Sequence, residues 1–199
     1  MTGALSLFVA YILGAIPFGY LLVRATTGKD VRASGSGNIG ATNVLRTSGK
    51  MAGIVTLLFD IAKGFAAILI AARLTDRDPL WVPLAALFVM AGHAFPVFLK
   101  FQGGKAVASF IGAFLYLAPL PLLGVTVVFV AVVAVTRHIS AGSILGAACF
   151  PLGVWIILHP GTELMIVSLI AGAFIVYRHG SNLTRLRQGT ENVFRWRKA

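Results

Sequence analysis

Acidic residues and cysteines are scarce in this chain of 199 residues. Its single cysteine, Cys149, lies within an apolar run, so the sequence offers no disulfide framework and no cysteine cluster for a metal. The six Asp and Glu residues include no carboxylate cluster of the kind that binds two metal ions. The chain lacks Asp-x-x-Asp-Gly, the motif of metal-dependent phosphatidyl transfer, and His-x-x-x-x-Asp, the catalytic pair of soluble-type acyltransferases. It also lacks Gly-x-Ser-x-Gly, the nucleophile elbow of hydrolases, so these three chemistries are excluded. We therefore predict neither a metal site nor a cofactor.

Charged residues of either sign make up only 12% of the chain, whereas 58% is hydrophobic and the mean hydropathy is +0.89. A disordered chain is excluded, because such chains are polar and highly charged. A soluble domain is excluded as well, since its interior has no room for so many Leu, Ile, Val, Ala and Phe side chains. The composition predicts a protein embedded in a lipid bilayer.

Seven apolar runs are candidate membrane spans. The fourth and fifth are short of the roughly 20 residues that cross a bilayer, and two prolines separate them. These two are half-helices or a re-entrant hairpin, so five full spans plus a hairpin and seven spans both remain open. We predict an all-α integral membrane fold of about seven transmembrane helices, two of them short or re-entrant. The runs cover residues 4–23, 51–72, 80–99, 106–117, 122–136, 140–158 and 162–177.

Positive charge is distributed unevenly between the two sides of these spans. The formal net charge is +11, and fourteen of the 17 Lys and Arg residues fall on one side. By the positive-inside rule the N-terminus lies outside and the C-terminus in the cytoplasm. We attribute the excess charge to orientation, to the lipid bilayer and to phosphorylated substrates, and not to nucleic acid. Three cytoplasmic loops, near 24–50, 92–109 and 178–199, then bear the motifs of a single membrane-embedded domain, residues 1–199.

Glycines and short polar side chains fill the first of these loops, and an arginine ends it. Glycines let the main chain approach a phosphate closely, short amides and hydroxyls add neutral hydrogen bonds, and an arginine offers two parallel N–H groups. No soluble strand precedes the Gly-x-Gly-x-x-Gly pattern, so a dinucleotide site is excluded and a flexible linker is the remaining alternative. We favour an anion-binding loop with the candidate residues Ser36, Asn38, Gly40, Thr42, Asn43 and Arg46.

A Gly-Gly-Lys turn precedes an apolar run in the second loop. Gly103, Gly104 and Lys105 bring free N–H groups, the positive end of a helix dipole and a primary amine to one spot, which suits a phosphate dianion. The turn is not a Walker A loop, because Leu99 stands where Gly is required and Ala106 replaces the Ser or Thr. In the alternative interpretation the lysine only marks the cytoplasmic border.

Titratable groups mark the third loop. His179 titrates near neutral pH and is either a general base or a group that orients a substrate. For Glu191, structural pairing with an arginine and catalysis both remain open. The arginines of this loop are expected to hold anionic headgroups.

Two opposite charges lie inside the second apolar run. Asp60 and Lys63 are spaced i,i+3, so they lie on one helix face and neutralise each other. Charges within a membrane are costly and mark a site or a water-filled cavity by default. His93, which precedes Pro96 near the end of the third run, is interpreted as a satisfied histidine beside a kink. We predict structural or supporting roles for these three ionisable residues.

Three ordered motifs resemble those of the bacterial acyl-phosphate:glycerol-3-phosphate acyltransferases, the PlsY family. They read Gly-Ser-Gly-Asn-Ile-Gly-Ala-Thr-Asn-Val-Leu-Arg, then Gly-His-Ala-Phe-Pro-Val-Phe-Leu with Gly-Gly-Lys, then Arg-His-x-x-Asn with Gly-Thr-Glu-Asn. The resemblance implies a small bacterial inner-membrane enzyme whose motifs face the cytoplasm. It also implies transfer of a fatty acyl group from acyl phosphate to the 1-hydroxyl of glycerol 3-phosphate. The products are 1-acylglycerol 3-phosphate and inorganic phosphate, in the first acylation step of phospholipid synthesis.

The resemblance also implies roles for individual residues. We predict that Arg46 and Lys105 hold the substrate phosphates, and that Ser36 and Asn38 form hydrogen bonds with the acyl phosphate. The proton of the attacking hydroxyl passes to His179 or to a phosphate oxygen of the substrate. The resemblance assigns Ser36 and Arg46 to the first motif, Gly103, Gly104 and Lys105 to the glycerol-phosphate loop, and His179, Asn182 and Glu191 to the third motif.

The second motif departs from the family pattern at two positions. The usual sequence is Lys-Gly-Gly-Lys-Gly, and this chain has Gln102 and Ala106 in place of its first Lys and last Gly. The loop therefore supplies less positive charge than is usual. A transporter of organic phosphates is the alternative function, but its polar elements should be reached from both faces, whereas all three clusters lie on one side.

Overall fold

The computed structural model describes residues 1–194, and over that length the protein is built from helices. Two 3₁₀ turns, Val31–Ala33 and Val97–Leu99, lie in the connections. The chain forms two compact units that divide between Leu117 and Ala118. The α-helices are α1 Thr2–Ala15, α2 Phe18–Thr27, α3 Ala41–Ser48, α4 Lys50–Leu74, α5 Trp81–Ala94, α6 Val107–Leu117, α7 Pro119–Thr136, α8 Ile139–Leu158, α9 Thr162–Arg178 and α10 Gly180–Arg187.

Prolines interrupt two of the apolar runs in the first unit. Pro17 separates α1 from α2 because a proline has no backbone N–H and disfavours a helical conformation in the residue before it. Ile16, at this break, has an extended backbone and a carbonyl outside the helical ladder. Pro96 follows the end of α5 and begins the 3₁₀ turn that leads into the second motif.

Small residues bring the helices of the first unit close together. A methyl group at Gly14 of α1 would lie 2.2 Å from the carbonyl oxygen of Val89 on α5. One at Gly92 of α5 would lie 2.1 Å from the carbonyl oxygen of Tyr11. Large side chains such as Phe59 of α4 point outward instead. Small residues inside and large apolar residues outside are typical of helices packed within lipid.

The second unit is a bundle of α7, α8 and α9 that ends in the short helix α10. Gly142 of α8 packs against α7, since a methyl group there would lie 2.8 Å from Phe129 and Val133. Gly172 of α9 packs against α8, because a methyl group there would lie 2.6 Å from the carbonyl oxygen of Ala147. The axis of α10 bends by 55° from that of α9. The third predicted loop, near 178–199, thus contains the helix α10. Its residues 195–199 lie outside the described part of the chain.

The prediction of an all-α membrane fold is confirmed, and the count of about seven spans stays a prediction. Within residues 1–194, five helical segments are long and apolar enough to cross a bilayer, or six if α9 and α10 form one bent span. The run 106–117 forms only the 11-residue helix α6, about 16 Å long at 1.5 Å per residue and shorter than a bilayer core. This run was predicted to be short.

The run 122–136 is longer in the structure than predicted. Its helix α7 has 18 residues and begins at Pro119, inside the segment 118–121 expected to separate two spans. Pro119 and Pro121 are accommodated because the first turn of a helix has no intrahelical partners for its N–H groups. α7 is therefore long enough to count as a span.

Candidate active site

The first motif is a loop organised around the side chain of Asn43. This amide, on α3, is 2% exposed, and its Nδ2 donates to the carbonyl oxygens of Val31, Ser34 and Asn38 at 3.2, 3.1 and 2.8 Å. Its Oδ1 accepts from the backbone N–H of Ser36 at 2.9 Å. The amide hydrogens of Asn43 are thus directed to the main chain. Asn43 therefore shapes the loop that presents the other candidates, and its predicted contact with phosphate stays a prediction.

Two further features hold this loop in its conformation. Gly35 has φ +62°, and a methyl group there would lie 2.3 Å from Oδ1 of Asn43, so only glycine fits. Ile39 and Val44 are buried together in an apolar cluster that includes Leu99, from the 3₁₀ turn of the second motif. The first and second motifs are therefore packed together within the first unit.

The chemically active side chains of this loop are exposed on its outer surface. Ser36, Thr42 and Arg46 are all exposed, and Asn38 is half-buried with its Oδ1 accepting from the N–H of Gly40 at 2.8 Å. The loop therefore offers a hydroxyl-bearing, glycine-rich surface with a guanidinium nearby. Such a surface suits an anion that arrives from solvent.

Arg32 and Arg46 of the first loop differ in their partners. Arg32 forms an ion pair with Asp30, with 2.7 Å between Nη2 and Oδ2, and this arginine lowers the pKa of the Asp30 carboxyl. The guanidinium of Arg32 also lies 5.2 Å from the centre of the Tyr20 ring. Across residues 1–194, Arg46 has no carboxylate within ion-pair distance. The positive charge of Arg46 is therefore not offset by an ion pair, whereas that of Arg32 is.

The glycines of the second motif pack directly against His93. The N–H of Gly104 donates to the carbonyl oxygen of His93 at 3.0 Å, and a methyl group on Gly104 would lie 2.0 Å from Nε2 of the ring. A methyl group on Gly103 would lie 2.3 Å from the same carbonyl oxygen. Both glycines are thus required for close approach to α5. Lys105, which follows them, is half-buried.

A buried charged cluster lies on the other side of His93. Nζ of Lys63 is 2.7 Å from Oδ1 of Asp60, and Nδ1 of His93 is 3.6 Å from the same oxygen. Nζ also donates to the carbonyl oxygen of Ile16 at 2.8 Å, at the proline break between α1 and α2. The predicted pairing of Asp60 with Lys63 is present. The partner at Ile16 was missed, although the proline that exposes its carbonyl is visible in the sequence.

The departure at Ala106 coincides with an unusual backbone conformation. Ala106 has φ +62° and is fully buried. A left-handed conformation costs a residue with a Cβ about 1–2 kcal/mol, whereas glycine adopts it freely. Glycine, which usually ends this motif, would adopt this backbone conformation without strain, whereas Ala106 is strained in it.

The third motif lies in the second unit, and two of its side chains, His179 and Asn182, are buried. His179 is 3% exposed, and its Nδ1 lies 2.8 Å from the carbonyl oxygen of Ile175. A carbonyl oxygen only accepts, so Nδ1 carries a proton and Nε2 is the basic nitrogen of the neutral ring. This tautomer is the one a proton acceptor at Nε2 requires.

Glu191 holds the third motif together. Its carboxylate accepts from Nδ2 of Asn182 at 2.9 Å and from Nε of Arg185 at 2.8 Å. Burial alone would raise the pKa of Glu191, but the hydrogen bonds from Asn182 and Arg185 and the charge of Arg185 lower it below its ordinary value. The pairing of Glu191 with an arginine, one of the two predicted possibilities, is present.

The structure therefore assigns the candidates to two units. The first unit contains the loop of Asn43, the glycine turn and the charged cluster, and the second contains the third motif. Within residues 1–194, no group of three or more His, Cys, Asp or Glu side chains is placed to hold a metal ion.

Comparison with known proteins identifies the family. The family model described as glycerol-3-phosphate acyltransferase matches residues 4–189. The glycerol-3-phosphate acyltransferase of Geobacter sulfurreducens is 48% identical over 94% of this chain and 95% of its own length. That of Desulforamulus reducens is 45% identical over 96% of this chain and 94% of its own length.

Solved structures agree with this match. The crystal structure of PlsY (YgiH), an integral membrane glycerol 3-phosphate acyltransferase in its glycerol 3-phosphate form, has a TM-score of 0.92 at 33% identity. The match covers 98% of this chain and 96% of that one. The lysophosphatidic acid form of the same protein has a TM-score of 0.88 with the same coverage. The resemblance seen in the three motifs is thus confirmed, and the chain belongs to the glycerol-3-phosphate acyltransferase family.

Proposed function

We propose that this protein transfers a fatty acyl group from acyl phosphate to the 1-hydroxyl of glycerol 3-phosphate. The products are 1-acylglycerol 3-phosphate and inorganic phosphate, in the first acylation step of phospholipid synthesis. The family match supports the acceptor, since a member was solved in glycerol 3-phosphate and lysophosphatidic acid forms. Acyl phosphate is proposed as the donor because Ser36 and Arg46 are exposed on a loop that Asn43 holds in shape, where they can bind the phosphate group of the donor.

An acyl phosphate is already activated for acyl transfer, because phosphate is a good leaving group. The hydroxyl oxygen of glycerol 3-phosphate attacks the acyl carbonyl carbon, a new C–O ester bond forms, and the bond to the phosphate oxygen breaks. Phosphate leaves with the electron pair, so positioning and neutralisation of charge supply most of the rate. Arg46 neutralises the leaving phosphate, Ser36 and Asn38 form hydrogen bonds with it, and Lys105 holds the phosphate of the acceptor.

The hydroxyl proton passes to Nε2 of His179 or to a phosphate oxygen of the substrate. The hydrogen bond of Nδ1 to Ile175 supports the first route, because in the neutral ring it leaves the proton-accepting lone pair on Nε2. His179→Gln separates the two routes. Near-normal turnover with an unaltered pH profile would assign the proton to the phosphate, and a large loss with a changed profile would assign it to His179.

The cellular setting belongs to the same proposal. We propose that residues 1–199 act as one membrane-embedded domain in the bacterial inner membrane, with the N-terminus outside and the motifs facing the cytoplasm. The Lys and Arg distribution supports this orientation.

The test measures release of inorganic phosphate from palmitoyl phosphate by the purified protein, with and without glycerol 3-phosphate. We expect release only with glycerol 3-phosphate, and a loss of about 10²-fold or more in Arg46→Ala. Lys29→Ala is the matched control, since it removes an exposed positive charge from the same segment outside the glycine-rich loop and should retain activity.

Two results would contradict the proposal. A well-folded protein that releases no phosphate and is also inactive with acyl-CoA and acyl carrier protein thioesters would rule out the enzyme. Activity with a thioester and none with palmitoyl phosphate would rule out the donor.

A further inference from the structure

His93 lies between the glycine turn and the buried ion pair, with one ring edge toward each. The Nε2 edge faces Gly104, where a methyl group would come within 2.0 Å. The Nδ1 edge faces Oδ1 of Asp60 at 3.6 Å. The main chain of His93 contributes as well, because its carbonyl oxygen accepts from the N–H of Gly104 at 3.0 Å. One residue of α5 thus contacts the turn through both its ring and its backbone.

The support behind this ring is anchored at a second point of the fold. Lys63 holds Asp60 at 2.7 Å and donates to the carbonyl oxygen of Ile16 at 2.8 Å. Asp60, Lys63 and His93 are 2, 5 and 4% exposed, so all three are enclosed by protein. A buried charged group held by several partners is a rigid support, because breaking one contact leaves a charge without compensation.

The position of Lys105 depends on the turn that precedes it. Gly103 and Gly104 are shaped by His93, and Ala106 on the other side has the left-handed φ of +62°. The main chain before Lys105 is therefore held by contacts with His93.

We infer that His93 is a positioning residue for the glycerol-3-phosphate site, holding Gly103 and Gly104 so that Lys105 meets the acceptor phosphate. Asp60 and Lys63 hold the imidazole in turn. This inference rests on the proposed role of Lys105. It predicts that loss of His93 weakens use of glycerol 3-phosphate selectively and leaves use of the acyl donor unchanged.

The experiment compares steady-state kinetics of His93→Ala, His93→Gln and wild type with both substrates varied. His93→Ala should raise KM for glycerol 3-phosphate about tenfold, with kcat and KM for palmitoyl phosphate within about twofold of wild type. His93→Gln retains a polar group of similar length and should recover part of this loss. Each protein is checked by gel filtration and thermal unfolding.

Tyr11→Phe is the matched control for stability. It removes the hydrogen bond from Oη of Tyr11 to the carbonyl oxygen of Phe95, 2.8 Å long, at the same end of α5, and it changes no atom of His93 or of the glycine turn. It should lower the unfolding temperature and leave both KM values unchanged. An equal rise in KM for glycerol 3-phosphate in this variant would overturn the inference.

A double variant tests whether His93 acts through Lys105. Lys105→Ala alone should raise KM for glycerol 3-phosphate, and addition of His93→Ala should raise it no further. Additive effects would overturn the inference, as would equal changes in both KM values.

Calorimetric binding of glycerol 3-phosphate to the same proteins distinguishes the role of His93 from the proposed function. Absent wild-type turnover contradicts the proposed function, whereas binding unaffected by His93→Ala contradicts only the role of His93.

Discussion

Two segments of the first unit hold their main chains in shape by different chemistry. The loop of the first motif is organised by a neutral amide, Asn43, which makes four hydrogen bonds to backbone groups. The glycine turn of the second motif rests on His93, behind which lies the buried ion pair of Asp60 and Lys63. Both supports are buried, but the first is uncharged and lies in a loop, whereas the second is charged and lies between helices.

The difference follows from what each segment must do. A neutral amide forms hydrogen bonds with several backbone groups at a small desolvation cost. Because Asn43 is uncharged, the positive charge beside the glycine-rich loop comes from the exposed Arg46. Buried charges are costly, but in a medium of low dielectric they hold their partners more strongly than neutral groups do. The comparison predicts that the charged support fails more severely than the neutral one.

The largest effect is expected for Asp60→Asn. The substitution leaves the Lys63 ammonium buried without its counter-charge, which costs about 3–5 kcal/mol. The measurement is thermal unfolding in detergent. Asp30→Asn is the control, because its ion pair with Arg32 is about one-third exposed and should contribute less than about 1 kcal/mol. Similar losses in the two variants would contradict the distinction between buried and exposed pairs.

Asn43→Ala should follow, with a loss of about 2–4 kcal/mol because several backbone groups lose their partners at once. Displacement of the loop should also slow acyl transfer about 10²-fold. Asn38→Ala loses only the bond to Gly40 and should cost about 1 kcal/mol. Lost turnover in Asn43→Ala with full thermal stability would instead support the predicted role of Asn43 as a phosphate ligand.

Gly35→Ala tests the same loop through its backbone. The added methyl group would lie 2.3 Å from Oδ1 of Asn43 and would face a φ of +62°, so we expect a loss of about 2–3 kcal/mol. Gly28→Ala is the matched control, with φ +70° and open space around the added methyl group. It should cost only the backbone strain, about 1 kcal/mol. Equal unfolding temperatures for the two variants would show that the contact with Asn43 is not limiting.

Glu191 combines neutral and charged partners, and pH separates their effects. Its lowered pKa means that the stabilisation is complete above the ordinary pKa of Glu and is lost as the pH falls through the lowered value. Glu191→Gln should therefore cost about 1–2 kcal/mol at pH 7, with the difference from wild type shrinking in acid. The check is thermal unfolding of both proteins from pH 7 downward. A difference that grows in acid would reverse the sign of this argument.

Ala106→Gly should give the smallest effect, and it is stabilising. Relief of the left-handed conformation gains about 1–2 kcal/mol, and loss of the buried methyl group costs about 0.8 kcal/mol, so the net gain is about 0.2–1.2 kcal/mol. Ala113→Gly, on α6 and equally buried, has no strain to relieve and should destabilise by about 1 kcal/mol. Effects of the same sign in both variants would contradict the strain at Ala106.

The sequence predicted those features that depend on near neighbours in the chain. The pairing of Asp60 with Lys63 follows from a spacing of three residues on one helix, and the arginine partner of Glu191 is six residues away. The short α6 was expected from its length. The start of α7 was not, because a proline is read as a break unless it is known to occupy the first turn.

Contacts between distant segments could not be predicted. Asn43 has the composition of a phosphate ligand, and only the folded loop shows that its amide hydrogens are used on Val31, Ser34 and Asn38. His93 was interpreted as a satisfied core histidine, and its contact with Gly104 depends on how the chain returns after Pro96.

The sequence by itself determined the membrane fold and the family, because hydropathy and three ordered motifs are properties of residue identity and order. Only the tertiary structure decided which polar residues face outward and which hold the backbone in place. Ser36 and Asn43 lie seven residues apart and are equally suited to an anion, yet one is exposed and the other is buried. The physical reason is that a hydrogen-bonding group binds whichever partner the fold brings within about 3 Å, and that distance is set by packing.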